Sequence, residues 1–222
     1  MQLLDSSEST VRRDLGELEQ EGRLHRVHGG AELFHSLQEE LSNQEKSVKN
    51  SQIKQALAQK ASRFVYDNDV IFIDAGTTTE FLLPFLQGKN VTVVTNSIHH
   101  ATRLVDLSIK TIIIGGYVKQ TTDASIGSVA LEQIRQMNFD KAFLGMNGVD
   151  EAYLTTPDME EAVIKKAVIA NAKVSYILVD VTKIGQVSFV KVAAIDQVTI
   201  ITEAASTGIL KKIKEKAKVI EL

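Results

Sequence analysis

The 222-residue chain contains no cysteine, no tryptophan and only two prolines, and aromatic residues make up 5% of it. Without cysteine there is no disulfide framework, no thiol nucleophile and no cysteine-ligated zinc or iron–sulfur site. Charge of one sign is lacking too: 25 basic residues stand against 28 acidic ones, a formal net charge of -3. That balance argues against a polybasic nucleic-acid coat but leaves room for a small local DNA-reading element. The longest apolar runs, such as Thr111-Ile112-Ile113-Ile114 and Tyr176-Ile177-Leu178-Val179, have strand length and fall far short of a membrane span. The opening stretch Met1-Gln2-Leu3-Leu4-Asp5-Ser6 has no basic region followed by a long apolar one, so no secretory signal is read there. The expectation is a soluble, cytoplasmic protein with no membrane partner.

What is present falls into two textures. Residues 1–34 are polar and charged, with a helical signal followed by a turn. Residues 67–222 alternate β-rich apolar runs with helical segments, and 35–66 join the two. Strands are expected at Val70–Asp74, Val91–Thr95, Lys110–Gly115, Lys141–Gly145, Val174–Asp180, Ser188–Ala194 and Val198–Thr202. Helices are expected near Thr79–Leu86, Ile98–Leu104, Ser128–Met137, Pro157–Ala172 and Ser206–Lys216. Short apolar strands separated by helices imply an α/β fold, a mainly parallel sheet with helices on both faces. Ile53, Leu57, Ala61 and Phe64 recur at helical spacing, so Asn43–Val65 reads as one amphipathic connecting helix.

Near the N-terminus, Ser7-Glu8-Ser9-Thr10-Val11-Arg12-Arg13-Asp14-Leu15 starts a helix well, with Ser7 as N-cap and Glu8 at the positive end of the helix dipole. Val11, Leu15 and Leu18 form its apolar face and leave Ser9, Arg12 and Arg13 pointing elsewhere. Gly22 ends it, and Arg23-Leu24-His25-Arg26-Val27-His28-Gly29-Gly30 alternates like a short hairpin with a glycine-rich tip. An ordinary surface helix accounts for these residues. So does a winged helix-turn-helix, whose helix enters the major groove while the wing meets the backbone or minor groove.

The ordered string Ser7–Leu15, followed by Arg26-Val27-His28-Gly29-Gly30-Ala31, resembles the signature of the DeoR-type bacterial transcriptional repressors, and the resemblance runs through nearly the whole remaining chain. It implies operator DNA as partner, with Ser7, Ser9, Thr10, Arg12 and Arg13 facing DNA and Arg26 and His28 on the wing. The nearest relatives suggested are repressors of sugar phosphotransferase operons of the lactose and fructose type. Family members carry roughly two further helices before the recognition helix, and Met1–Leu4 could be only the tail of the second. The N-terminal module is therefore expected to be a partial winged helix-turn-helix, through truncation or through impaired DNA binding.

Ile71-Phe72-Ile73-Asp74-Ala75-Gly76-Thr77-Thr78-Thr79 reads as a strand, a glycine-hydroxyl turn and a helix start. Gly76 permits close backbone approach, and hydroxyls with first-turn amides can bind an anion; a plain capped turn fits as well. It is not a Walker loop, because no lysine follows and the glycine spacing is wrong. Later strands also exit into polar or glycine-rich loops, at Asn96, Gly115-Gly116, Gly145–Gly148 and Asp180–Lys183. Ligands of open parallel sheets bind at that rim. The same resemblance implies a sensor half similar to ribose-5-phosphate isomerase. There Gly76, Thr77, Thr78 and Lys183 would hold a phosphate, and Asp74, Asn96 and Asn147 would contact sugar hydroxyls. Gly116 lies on the same rim, and Glu161 and Lys165 match the family pattern on a helix begun by Thr156 as cap and Pro157 at its first position. Their i,i+4 spacing also fits a surface ion pair.

An enzyme of the same fold is the competing reading, since aldose–ketose isomerisation needs a general base. The same resemblance implies that Asn147 stands where the isomerases carry an aspartate and, counting back without gaps from Asp180-x-x-Lys183, that the base position falls at Lys165. Binding groups are retained while proton-moving groups are not. The expectation is a pocket that binds without turnover, in a regulator controlled by a phosphorylated sugar, a hexose phosphate favoured. Alternatives are an isomerase-like enzyme and a sugar-phosphate-binding protein that has lost DNA binding. Adjacent His99 and His100 lie on different helix faces with no third ligand at a metal spacing, so no metal and no cofactor are expected. A homodimer or homotetramer is expected because one helix-turn-helix unit binds DNA weakly.

Overall fold

A computed structural model describes residues 7–21, 24–27, 30–33, 36–38 and 40–222. The chain divides into two compact units, 1–39 and 40–222.

The small unit holds helix α1 (Glu8–Gln20) and an antiparallel hairpin of β1 (Leu24–Val27) and β2 (Gly30–Leu33). Ser7 caps α1 by accepting the Thr10 amide at 3.2 Å, which satisfies one of the orphan donors of the first turn. Val11, Leu15 and Leu18 are only half-buried, while Leu24 is buried.

The large unit begins with α2 (Asn43–Val48) and α3 (Ser51–Ser62), followed by β3 (Val70–Ile73), α4 (Thr77–Glu80), β4 (Thr92–Thr95), α5 (Ile98–Asp106) and β5 (Lys110–Ile113). A hairpin of β6 (Tyr117–Lys119) and β7 (Ala124–Ile126) leads to α6 (Ser128–Arg135) and β8 (Phe139–Gly145). Then come β9 (Gly148–Val149), β10 (Tyr153–Thr156), α7 (Met159–Asn171), β11 (Ala172–Leu178), β12 (Val190–Ala194), β13 (Thr199–Thr202), α8 (Gly208–Lys216) and β14 (Lys218–Glu221).

Seven strands form one parallel sheet in the order β14-β13-β11-β8-β3-β4-β5. Its side chains alternate between two apolar layers, as the two-residue strand period requires. Phe72, Val94, Ala142, Leu144 and Ile177 face a core closed by α6, α7 and α8. Ile71, Ile73, Val93, Phe143, Tyr176 and Leu178 face a second core closed by α3, α5 and the 3-10 turn Leu83–Leu86. Pro84 sits in the first positions of that turn, where its missing N–H costs no helical hydrogen bond. Phe64, Tyr176 and Phe143 stack in series, with ring centroids 5.0 and 5.3 Å apart.

The α/β class and the parallel sheet agree with the sequence reading, and three local expectations are corrected. Residues 43–65 do not form one helix: Asn50 adopts the left-handed conformation (φ 55°) and separates α2 from α3. The run ending at Ala194 leaves the parallel sheet and pairs antiparallel with β10, which also pairs with β9. Helix α7 is capped by Asp158, which accepts the Glu161 amide at 2.8 Å, rather than by Thr156.

Candidate functional site

Strand β3 sits inside the sheet; the chain then winds outward through β4 and β5 and returns to place β8 on the other side of β3. By the general rule for open parallel sheets, such a reversal sets the ligand-binding crevice beyond the carboxyl ends of the two strands, here β3 and β8. The loop leaving β3 runs Asp74-Ala75-Gly76 into α4, and the loop leaving β8 carries Asn147. Thr79 Oγ1 fixes the first loop by donating to the Asp74 and Gly76 carbonyls at 2.7 and 2.8 Å. Asn96, at the exit of β4, accepts the Ala75 amide at 2.9 Å and donates to the Ser125 carbonyl at 3.4 Å.

Asp74 and Lys165 meet in the crevice as a buried ion pair, and the Lys165 ammonium also donates to the Gly145 carbonyl at 3.1 Å. Burial pushes the Asp74 carboxyl above its ordinary range, against the opposing pull of Lys165. The expected surface pair of Glu161 with Lys165 is thereby overturned. Helix α7 buries the face bearing both residues, so each is drawn to a partner elsewhere in the fold. Glu161 accepts from Thr122 Oγ1 at 2.8 Å and from Lys119 Nζ at 3.2 Å.

Lys54, on α3 and only 4% exposed, donates to Thr77 Oγ1 at 2.9 Å and to the Lys46 carbonyl. Both partners are neutral oxygens. Burial lowers the Lys54 pKa, and Lys183 and Lys46 push in the same direction while Asp180 opposes. Lys46 is also lowered, by burial first, with Lys165 and Lys183 adding to the shift against Glu40 and Glu161. Lys46 is within electrostatic reach of Lys165 and Lys183, and Lys54 of Lys46 and Lys183. An anion beside Lys46 and Lys54, the two that burial shifts, would offset their desolvation.

Sequence reasoning missed Lys46 and Lys54. A signal for Lys54 exists: it is in helical phase with Leu57 and Ala61, on the buried stripe. His100, weighed in the sequence only as a metal ligand, proves to be a core residue. It is buried, its Nδ1 has no hydrogen-bond partner, and burial lowers its pKa to about 4 against the influence of Glu80 and the Gly76 backbone. His99, its neighbour, instead meets Glu80 at 3.1 Å on the surface. Among the described residues, no group of three or more histidines and carboxylates could hold a metal ion.

The structure therefore brings Asp74, Gly76, Thr77 and Lys165 together, with Thr78 half-buried on α4 and Lys183 across the crevice on the 3-10 turn Val181–Lys183. Asn96 is spent on the loop itself. Asn147 accepts the Thr156 hydroxyl at 3.1 Å. Gly116 has a packing reason, because a Cβ there would lie 2.6 Å from the Ile126 carbonyl.

On the small unit, Ser7, Ser9, Thr10, Arg12 and Arg13 share the first turns of α1 and are exposed. Ser7 Oγ lies 2.8 Å from both Ser9 Oγ and Thr10 Oγ1, so the cap and its neighbours form one hydroxyl cluster. Arg13 pairs with Glu17 at 3.1 Å. Arg26 lies on β1, with its side chain outside the described residues, as is His28 altogether.

A capped helix with a two-stranded wing, followed by a doubly wound domain with a cationic crevice, defines a two-part class of protein, reader and sensor on one chain. Residues 1–37 match the DeoR-like helix-turn-helix domain and residues 49–204 the DeoR C terminal sensor domain. The chain is 43% identical to a HTH-type transcriptional regulator, FruR, of Bacillus subtilis, over 98% of this chain and 87% of that one. It is 31% identical to the lactose phosphotransferase system repressor of Staphylococcus aureus, over 88% of this chain and 80% of that one. Among solved structures it is similar to ribose 5-phosphate isomerase A from Methanocaldococcus jannaschii, with 20% identity and a TM-score of 0.46 over 61% of this chain and 55% of that one. This chain belongs to the DeoR family of transcriptional regulators. Among the described residues, no helix is long and apolar enough to cross a membrane.

Proposed function

We propose that this protein is a repressor of a sugar-utilisation operon that binds operator DNA through residues 1–34 and releases or engages it in response to a phosphorylated sugar, a hexose phosphate by preference. The observation that carries this reading is the lysine-lined crevice at the reversal of strand order, where Lys54 already holds Thr77 of the β3 loop. The phosphate would lie against Gly76, Thr77, Thr78, Lys54 and Lys183. Asp74, Lys165 and Asn147 would face the sugar, and Asn96 would hold the loop in shape. The name of the staphylococcal relative, a repressor of a sugar phosphotransferase system, supports the same class of target.

The site is built for binding rather than turnover. Asp74 is tied to Lys165 and Asn147 offers an amide, so neither supplies the free carboxylate base that isomerisation requires. On the small unit, Ser9, Thr10, Arg12 and Arg13 would face the major groove and Arg26 and His28 the phosphate backbone, in a homodimer or homotetramer whose copies read two half-sites.

Calorimetry and thermal shift against phosphorylated hexoses and pentoses test the sensor half, since selective binding raises the melting temperature by mass action. Lys183→Ala is expected to weaken binding by about 1.5–3 kcal/mol, roughly 10- to 150-fold in Kd, with the melting temperature of the free protein unchanged. Unaltered affinity would remove Lys183 from the site. Sustained product formation by NMR would replace the sensor reading with an enzymatic one. A salt-dependent gel shift with DNA upstream of the protein's own operon tests the reader half.

A further inference from the structure

The chain enters the large unit at Glu40, and this entry is held by a cluster that neither the crevice nor the DNA-reading helix uses. Lys119, on β6, donates to three carboxylates from three places: Glu40 at 2.5 Å, Asp158 at 2.8 Å and Glu161 at 3.2 Å. Burial alone would push the Lys119 pKa down, but these bonds hold it above its ordinary value. The entering segment is pinned a second time by Asn43, whose amide donates to the Thr121 carbonyl at 3.0 Å and whose side chain donates to the Thr122 carbonyl at 2.7 Å. Thr122 in turn donates its hydroxyl to Glu161, one helical turn before Lys165.

Lys46 belongs to both arrangements. Its ammonium lies 3.9 Å from Glu40 Oε1, a buried oxygen with no hydrogen-bond partner, and it is within electrostatic reach of Lys165 and Lys183 in the crevice. Glu40 and an anion in the crevice would therefore compete for one cation.

We propose that the Lys119 cluster is a latch on the segment Glu40–Lys46, and that an anion in the lysine-lined crevice opens it by drawing Lys46 away from Glu40. This rests on the effector reading given above and names the residues through which occupancy of the site reaches the chain that leads to the DNA-reading helix. The energetic requirement is reciprocal: if the anion opens the latch, an open latch favours the anion by the same factor.

Hydrogen–deuterium exchange on the full-length protein, with inorganic phosphate and with fructose 1-phosphate at matched ionic strength, reads the latch directly. In the wild type, saturating either probe is expected to speed exchange of peptides spanning 40–46 by roughly tenfold, while the β8 and β11 core stays protected. Glu40→Gln removes the competing carboxylate, and Asn43→Ala removes a pin without changing charge. Both are expected to show the faster exchange with no probe present, to gain no further increase on binding, and to bind the probe severalfold more tightly by calorimetry. Tighter binding by the uncharged variant separates linkage from a simple change of charge. Binding by the wild type without a change at 40–46, or wild-type protection in both variants, overturns the latch. If neither probe binds the wild type, the effector reading falls and the anion-driven opening with it, while the exchange of the two variants still shows whether the cluster holds the segment.

Discussion

The two units of this protein are stabilised on different scales. The small one rests a half-buried stripe of Val11, Leu15 and Leu18 on a two-stranded hairpin and offers its polar face to solvent. The large one buries both faces of a seven-stranded sheet and then spends part of that stability on charge, enclosing Asp74, Lys165, Lys54 and Glu161. A reader of DNA needs accessible groups in a fixed row, which a short helix supplies. Holding charged groups away from water is costly, and only a large apolar core can impose that cost.

The contrast is tested most severely at Asp74 and Lys165. Removing one partner strands the other charge, so Asp74→Ala and Lys165→Met are each expected to lower stability by about 3–5 kcal/mol in urea titrations. Combining Asp74→Asn with Lys165→Met should recover much of that loss. A single-variant loss below about 1 kcal/mol would mean the pair is solvated like a surface bridge. Next comes packing: Leu57→Ala, in the core beneath α3, should cost about 2–5 kcal/mol. Leu15→Ala on α1 should cost about 1 kcal/mol, in keeping with its partial burial. Equal effects would erase the distinction between the units.

A pH titration separates the units without mutation. His100 is held neutral, its pKa lowered from 6.5 to about 4, so below pH 6.5 the unfolded chain binds a proton that the folded one refuses. Its contribution to stability is therefore intact above pH 6.5 and lost as pH falls toward 4, by up to about 3 kcal/mol. His100→Gln should flatten that part of the profile, as followed by thermal melts between those limits. The smallest effect belongs to the small unit. Arg13→Ala, which breaks an exposed i,i+4 pair with Glu17, should change stability by less than about 0.5 kcal/mol. It should also reduce the salt slope of DNA binding by about 1 if the guanidinium meets a phosphate.

The same division governs what could be read from the residues alone. The parallel sheet was legible because β3, β4, β8, β11 and β13 are apolar runs bounded by loops, a pattern set by burial on both faces. The hairpins β6–β7 and β9–β10 were not, since strands of two to four mixed residues give no period to detect. Ser188–Ala194 is misassigned to the parallel sheet because its antiparallel partner, Tyr153–Thr156, is not among the expected strands. At the site, the β3 loop was visible from Asp74-Ala75-Gly76-Thr77, where composition and strand-to-helix context coincide. Lys46 and Lys54 were hidden among connecting residues, because a lysine on a helix ordinarily faces water and only tertiary packing turns these two inward. Glu161 and Lys165 misled for the same reason: spacing along a helix decides partners at a surface, but on a buried face the neighbouring elements decide.

The left-handed residue Asn50 has a consequence for the crevice. The Lys46 carbonyl ends α2 by accepting the Lys49 amide at 3.2 Å, and its second lone pair is still to be filled. With the chain turned at Asn50, the Lys54 ammonium of the next helix donates to the same oxygen, so the main chain supplies a solvent substitute for a sequestered cation. Straightening the backbone at this one position would strip the ammonium of an acceptor without altering any side chain around it.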